Sequence, residues 1–133
     1  MSALTKQVGG DHYKKITIQP AEVAFKCGLA NMEVVTLRYL TRVKNNVLED
    51  LQKAIHCIEL DKELDAKYGE EFYEDVETTT PEDFHPDYFI KDYFFQFPDS
   101  AKLCEAFIEY TYGEYDTAIR LINEHIEEKG LES

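Results

Sequence analysis

Arg38 and Arg42 are the side chains of this chain best placed by type and spacing to hold an anion. On a helix, residues i and i+4 share a face. Each guanidinium presents a planar fork that matches phosphate oxygens, where a lysine offers only a point charge. They are two of the three arginines in the sequence, on an otherwise rather apolar stretch. Ahead of them lies Gly9-Gly10-Asp11-His12-Tyr13, whose paired glycines let backbone N–H groups wrap a phosphate, with His12 as donor or proton carrier. Lys44 and Lys53 are supporting cations. The plain alternatives are a turn anchored by Tyr13, and surface ion pairs of the arginines with Glu33, Glu49 or Asp50 worth at most about 1 kcal/mol each.

Charge separates this region from the rest. Residues 1–60 carry eight Lys/Arg against six Asp/Glu, a net of +2, whereas residues 61–133 carry six against twenty-one, a net of −15. The cations able to hold phosphate therefore lie mostly in the N-terminal half. The overall balance of −13 argues against binding along a nucleic-acid backbone, which needs a basic footprint. It suits solubility, or a basic protein partner.

Several chemistries lack their residues. No G-x-x-x-x-G-K-[ST] string is present, so a P-loop kinase is excluded. No G-x-S-x-G occurs, and none of Cys27, Cys57 and Cys104 has an obvious His-and-Asn context. Three widely spaced cysteines are neither a disulfide framework nor a zinc ribbon, and they fit a reducing cytosol. Glu49 and Asp50 with Glu33 or Glu22 could be imagined around Mg²⁺, but the E-x-x-E and E-x-x-D pairs of helical pyrophosphatases are missing from residues 20–60. Glu71, Glu74 and Glu77 have such spacing within an acidic stretch and read as solvated charge. No metal is expected, and no cofactor beyond a nucleotide as substrate or ligand. There is no apolar run of signal-peptide or membrane-spanning length, so the expected location is the cytoplasm.

The elements that must position these groups are helical. At 133 residues, with 17 aromatics (nine Tyr, eight Phe), the chain has the size and apolar content for one domain. Residues 1–19 read as an irregular arm with a short extended piece at 16–18. Pro20 suits a helix start, and Gly28 a helix end. Asn31 serves as N-cap of a second helix over about 32–44, broken by Asn45-Asn46. The third and longest helix runs from near Val47 to Tyr68, with Leu48, Leu51, Ile55 and Ile58 on its buried stripe and Gly69 as its end. Residues 70–87, with two X-Pro steps, form an acidic loop or short helical turns. An aromatic cluster follows, from Tyr88 through Phe97, expected in the core or in a homo-oligomer contact. Pro98-Asp99-Ser100 opens a helix to about Tyr112, Gly113 breaks it, and a last helix over 114–129 buries Tyr115, Ala118, Ile119, Ile122 and Ile126. The expectation is an all-α bundle of five or six helices with an irregular N-terminal arm: a motif region over 7–60, the acidic loop, and aromatic, acidic helices over 88–130.

The string G-G-D-H-Y, then Ile18-Gln19-Pro20, then Arg38-Tyr39-x-x-Arg42, then Glu49-Asp50-Leu51-x-Lys53-Ala54 resembles a family of small bacteriophage early proteins. That family includes a phage nucleotide kinase without a P-loop and a lactococcal phage protein that confers sensitivity to an abortive-infection system. The resemblance covers residues 7–60. It implies that His12, Tyr13, Arg38, Tyr39, Arg42, Asp50 and Lys53 fall on recurring polar positions. This chain has Val34 and Val35 where members often have Gly-Asn. Glycine permits close approach and asparagine supplies a donor and an acceptor, so two valines weigh against kinase chemistry and toward simple binding.

The resemblance thus implies a phage-encoded nucleotide-binding protein of the host cytosol, with Gly9–Tyr13, Arg38, Tyr39, Arg42, Lys44 and Lys53 around the phosphate. If catalytic, it would transfer a phosphoryl group between nucleotides, with Arg38 and Arg42 steadying that group and His12 orienting or protonating. Self-assembly is also expected, since so many aromatics invite burial between subunits. The alternative is a non-enzymatic anti-defence or host-takeover protein. It would sequester a nucleotide signal or use the acidic half to cover a basic surface on a host protein.

Overall fold

The computed structural model describes residues 18–42, 46–72 and 84–131, with side chains of the third helix described as far as Gly69. Six helices follow one another: α1 (Pro20–Cys27), α2 (Asn31–Thr41), α3 (Val47–Phe72), α4 (Pro86–Phe95), α5 (Ala101–Thr111) and α6 (Tyr115–Glu128). No strand occurs among the described residues. The fold is the all-α bundle that the periodicity predicts.

Local chemistry explains most boundaries. Pro20 occupies the first turn of α1, and the Glu22 carboxylate accepts the Gln19 N–H at 3.3 Å, half of a capping box. Gly28 ends α1 in the left-handed region at φ 63°, ψ 42°, where a Cβ would be strained, and Leu29 N–H then reaches back to the Ala24 carbonyl at 3.0 Å. Glu33 repeats the Glu22 device at the start of α2, accepting the Ala30 N–H at 2.8 Å. Asn31 is therefore the first helical residue rather than the cap. Asn46 does cap α3, its side-chain oxygen accepting the Glu49 N–H at 2.9 Å.

Three expected boundaries move. The helix α2 stops at Thr41, and Arg42 is already extended at φ −73°, ψ 127°. The helix α3 continues through Gly69 to Phe72, a span of 26 residues or about 39 Å. A glycine costs only about 1 kcal/mol inside a helix, too little by itself to end α3, although the turns around Gly69 are mostly exposed and the buried stripe stops at Ile58. Residues 86–95, read from sequence as a loop end and an aromatic cluster, are a helix with Pro86 at its first position.

The core arises where two helical hairpins, α2–α3 and α5–α6, pack through α3 against α6 and α2 against α5. The short α1 bridges α2 and α4, and α4 lies along α5. Leu37, Leu51, Ile58, Phe94, Phe107 and Ile122 are fully or almost fully buried at the centre. Tyr93 is also buried, and its hydroxyl lies 2.7 Å from Thr41 Oγ1. Thr41 gives its one proton to the Leu37 carbonyl at 2.9 Å, which makes Tyr93 the donor. The aromatic cluster is thus split. Tyr93 and Phe94 join the core, while Tyr88 and Phe95 face solvent, 65% and 90% exposed.

Candidate functional site

The arginine pair lies where α2 ends and α3 begins. Arg38 is in the last turn of α2, exposed, with no ion pair or hydrogen bond among the described residues. Because the backbone turns extended at Arg42, the two arginines do not project from one continuous helix as their spacing predicts. Arg42 instead folds over Tyr39, with its guanidinium carbon 4.8 Å from the ring centroid. From α3, the Lys53 ammonium approaches the same ring at 5.8 Å. Tyr39 is half-buried and packs on the core, so one anchored aromatic ring organises two cations, one just past the end of α2 and one on α3.

The electrostatics leave these cations only partly neutralised. Arg42 Nη1 is 3.7 Å from Asp50 Oδ1, and Lys53 Nζ is 3.4 Å from Glu49 Oε1. Charge-assisted hydrogen bonds close to about 2.7–2.9 Å. Arg42 also keeps 48% of its side chain exposed, which leaves guanidinium donors for a further acceptor. The partial negative charge at the end of α2 favours Arg38 and Arg42 where they stand. Val35 is exposed beside this stripe and Val34 half-buried, so the two valines present aliphatic surface next to the arginines.

Gly9, Gly10, Asp11, His12, Tyr13 and Lys44 lie outside the described residues, as does most of the 16–18 piece. Within them, the structure brings together Tyr39, Arg42, Asp50 and Lys53, with Arg38 in the adjoining turn.

The carboxylates weighed for Mg²⁺ are dispersed among other tasks. Glu22 and Glu33 satisfy helix-start N–H groups, and Glu49 and Asp50 face Lys53 and Arg42. Among the described residues no group of three or more His, Cys, Asp or Glu is arranged to hold a metal ion. A polar contact that the sequence does not signal joins α3 to α5: the Tyr110 hydroxyl donates to Asp61 Oδ2 at 2.6 Å. Burial, reinforced by that carboxylate, holds the phenol far above its ordinary range. Burial also raises Glu33, with Asp61 adding to the rise and the Ala30 N–H opposing it. Cys27 and Cys104 are each pushed by burial to about 11, and Cys57 is raised for the same reason. Thiols held protonated at neutral pH are poor nucleophiles. Asp61 and Tyr110 are a brace between helices, and their separation of 49 positions hides the pair from any sequence pattern.

The chain matches no family model, no curated protein and no solved structure.

Proposed function

We propose that this chain is a phage-type nucleotide-binding protein that holds the phosphate of a mononucleotide or related ester at the α2–α3 junction. The observation that carries the reading is the unequal state of the three arginines. Arg120 is closed in a 2.8 Å pair with Glu124, Arg42 is only loosely paired at 3.7 Å, and Arg38 has no partner among the described residues. Arg42 and Lys53 are gathered on Tyr39, whose ring also offers an edge for a base. The resemblance of residues 7–60 to phage early proteins supports a nucleotide as the ligand class. Val34 and Val35 favour binding without phosphoryl transfer.

Calorimetric titration of wild type, Arg38→Ala and Arg42→Ala with nucleoside mono- and triphosphates tests this. A charge-assisted contact is worth roughly 1.5–3 kcal/mol, so each variant should bind about ten- to a hundredfold more weakly. Equal affinity in all three proteins, or no heat with any nucleotide, rejects the site. Chromatography of the incubated nucleotides then separates a binder, which returns them unchanged, from a phosphotransferase.

A further inference from the structure

Between α4 and α5 runs a groove of about 690 Å³ that the nucleotide reading does not use. Its geometry follows from helical spacing. Asp87, Lys91 and Phe95 form one i, i+4, i+8 ridge on α4, and Ala101, Glu105 and Glu109 form the facing ridge on α5. Phe94, Cys104 and Ile108 lie on its apolar floor, and the turn at Pro98–Ser100 closes one end. Two parallel i±4 ridges with an apolar trough between them are the surface into which a third helix packs.

Two further observations define what would lie there. Phe95 stands on the α4 ridge with its side chain almost wholly in water, 90% exposed, so the ridge itself offers unburied aromatic surface. The polar rim has one dominant sign. Asp87, Asp99, Glu105 and Glu109 line the groove against the single ammonium of Lys91. Asp87 accepts from Tyr112 at 2.9 Å and Asp99 faces Lys129 at 3.6 Å, but Glu105 and Glu109 have no side-chain partner among the described residues. Nonspecific acidity would put charge anywhere on this half of the chain. Here unpaired carboxylates border an apolar trough beside an exposed phenylalanine.

We infer that the α4–α5 groove is a docking site for a basic amphipathic helix of another protein. Its apolar side chains enter the trough against Phe94, Phe95 and Ile108, and its Lys or Arg side chains meet Glu105 and Glu109. The ridges span nine residues each, which accommodates roughly two to three helical turns of a partner. The inference does not depend on nucleotide binding at the α2–α3 junction.

The test uses the full chain and a fluorescein-labelled peptide of about 18 residues built from Leu and Lys, with Leu at i, i+3, i+4 and i+7. A second peptide has the same composition in an order that destroys the apolar face. Anisotropy titrations compare wild type with Phe95→Ser, with Glu105→Lys/Glu109→Lys, and with Glu59→Lys/Glu63→Lys, which makes the same charge change on exposed positions of α3. Circular dichroism checks that each surface variant is folded. The expected result is saturable binding of the amphipathic peptide, about tenfold weaker binding of the scrambled one, and a loss of about tenfold or more for each groove variant. The α3 variant should change affinity by less than about threefold. Equal weakening by the α3 variant, equal binding of the scrambled peptide, or no saturable binding overturns the proposal. So does a dimer by sedimentation that Phe95→Ser converts to monomer, because the groove would then belong to a second copy of this chain.

Discussion

The carboxamide of Gln96 closes a two-bond pair on the backbone of Ile18: Ile18 N–H donates to Oε1 at 2.6 Å, and Nε2 donates to the Ile18 carbonyl at 3.0 Å. A side chain at the end of α4 thus stands in for the backbone of a neighbouring strand. It ties the entry of α1 to the turn before α5, across 78 positions of sequence. Nε2 also donates to the Tyr93 carbonyl at 2.9 Å, so the amide orientation is set by its surroundings.

Gln96→Leu keeps the size of this side chain and removes its hydrogen bonds. With Ile18 half-buried, its N–H and carbonyl lose their protein partner, and we expect a destabilisation of about 1–3 kcal/mol by urea unfolding. Gln96→Glu separates the two bonds, since a carboxylate can still accept the Ile18 N–H but cannot donate to its carbonyl. Its second oxygen then faces the Ile18 and Tyr93 carbonyls with no proton to offer, so Gln96→Glu should cost at least as much as Gln96→Leu. A smaller cost would show that the Ile18 N–H bond dominates.

The Tyr93–Thr41 contact is a second cross-element bond, buried between α4 and the end of α2. Tyr93→Phe should cost about 1 kcal/mol and Thr41→Val a similar amount. Because both changes remove one shared bond, the double variant should lose less than their sum, with a coupling of about 0.5–1.5 kcal/mol in a double-mutant cycle. Strict additivity would mean that the hydroxyls gain nothing from each other.

Punctuation residues were readable in the sequence wherever one residue type decides a backbone conformation: Gly28 after α1, Asn46 before α3, and Gly113 and Gly130 at the turns around α6. The helix α4 was hidden for an opposite reason. Its buried stripe, Ile90, Tyr93 and Phe94, is flanked by exposed Tyr88 and Phe95, so the helix is aromatic on several faces and shows no clean period. For the candidate site, the sequence supplied Arg38, Arg42 and Lys53 but not their arrangement. The i, i+4 argument needs a helix through position 42, and the chain leaves the helix at Thr41. Helical spacing alone also cannot place Lys53 on Tyr39, because that contact crosses the α2–α3 connection.

His125 gives the structure an acid-sensitive point in the last turn of α6. Burial lowers its pKa below the ordinary 6.5, with Lys129 and Lys102 adding to the fall and Glu128 and Asp99 opposing it. The unfolded chain therefore binds a proton at this residue more readily than the folded one. The stability it contributes is complete above 6.5 and is lost as pH falls from there through the folded value. Glu33 works the other way, since its raised pKa relieves a cost on acidification above 4.5. The difference between wild type and His125→Gln isolates the histidine. Between pH 7 and 5, wild type should lose stability more steeply, by up to about 1.4 kcal/mol per pH unit. Parallel pH profiles would remove His125 from the acid response.

Asp50 competes with any ligand for Arg42, and this makes the proposed phosphate site testable by a gain as well as a loss. Its carboxylate is mostly buried at 12% exposure and reaches the half-exposed guanidinium only at 3.7 Å. Such a pair is worth at most about 1 kcal/mol, and releasing it frees Arg42 to turn wholly toward an added anion. Asp50→Asn keeps the shape of the side chain and removes the charge. We expect it to strengthen nucleotide binding by up to about fivefold in the same titrations that Arg42→Ala weakens. The gain should vanish in Asp50→Asn/Arg42→Ala, because no guanidinium remains to be released. A general rise in positive charge would instead strengthen binding with or without Arg42, and would fade as salt is raised toward a Debye length of about 3 Å near 1 M. Persistence of the gain in the double variant would therefore take the phosphate away from Arg42 and leave only the field of the α2–α3 junction to account for it.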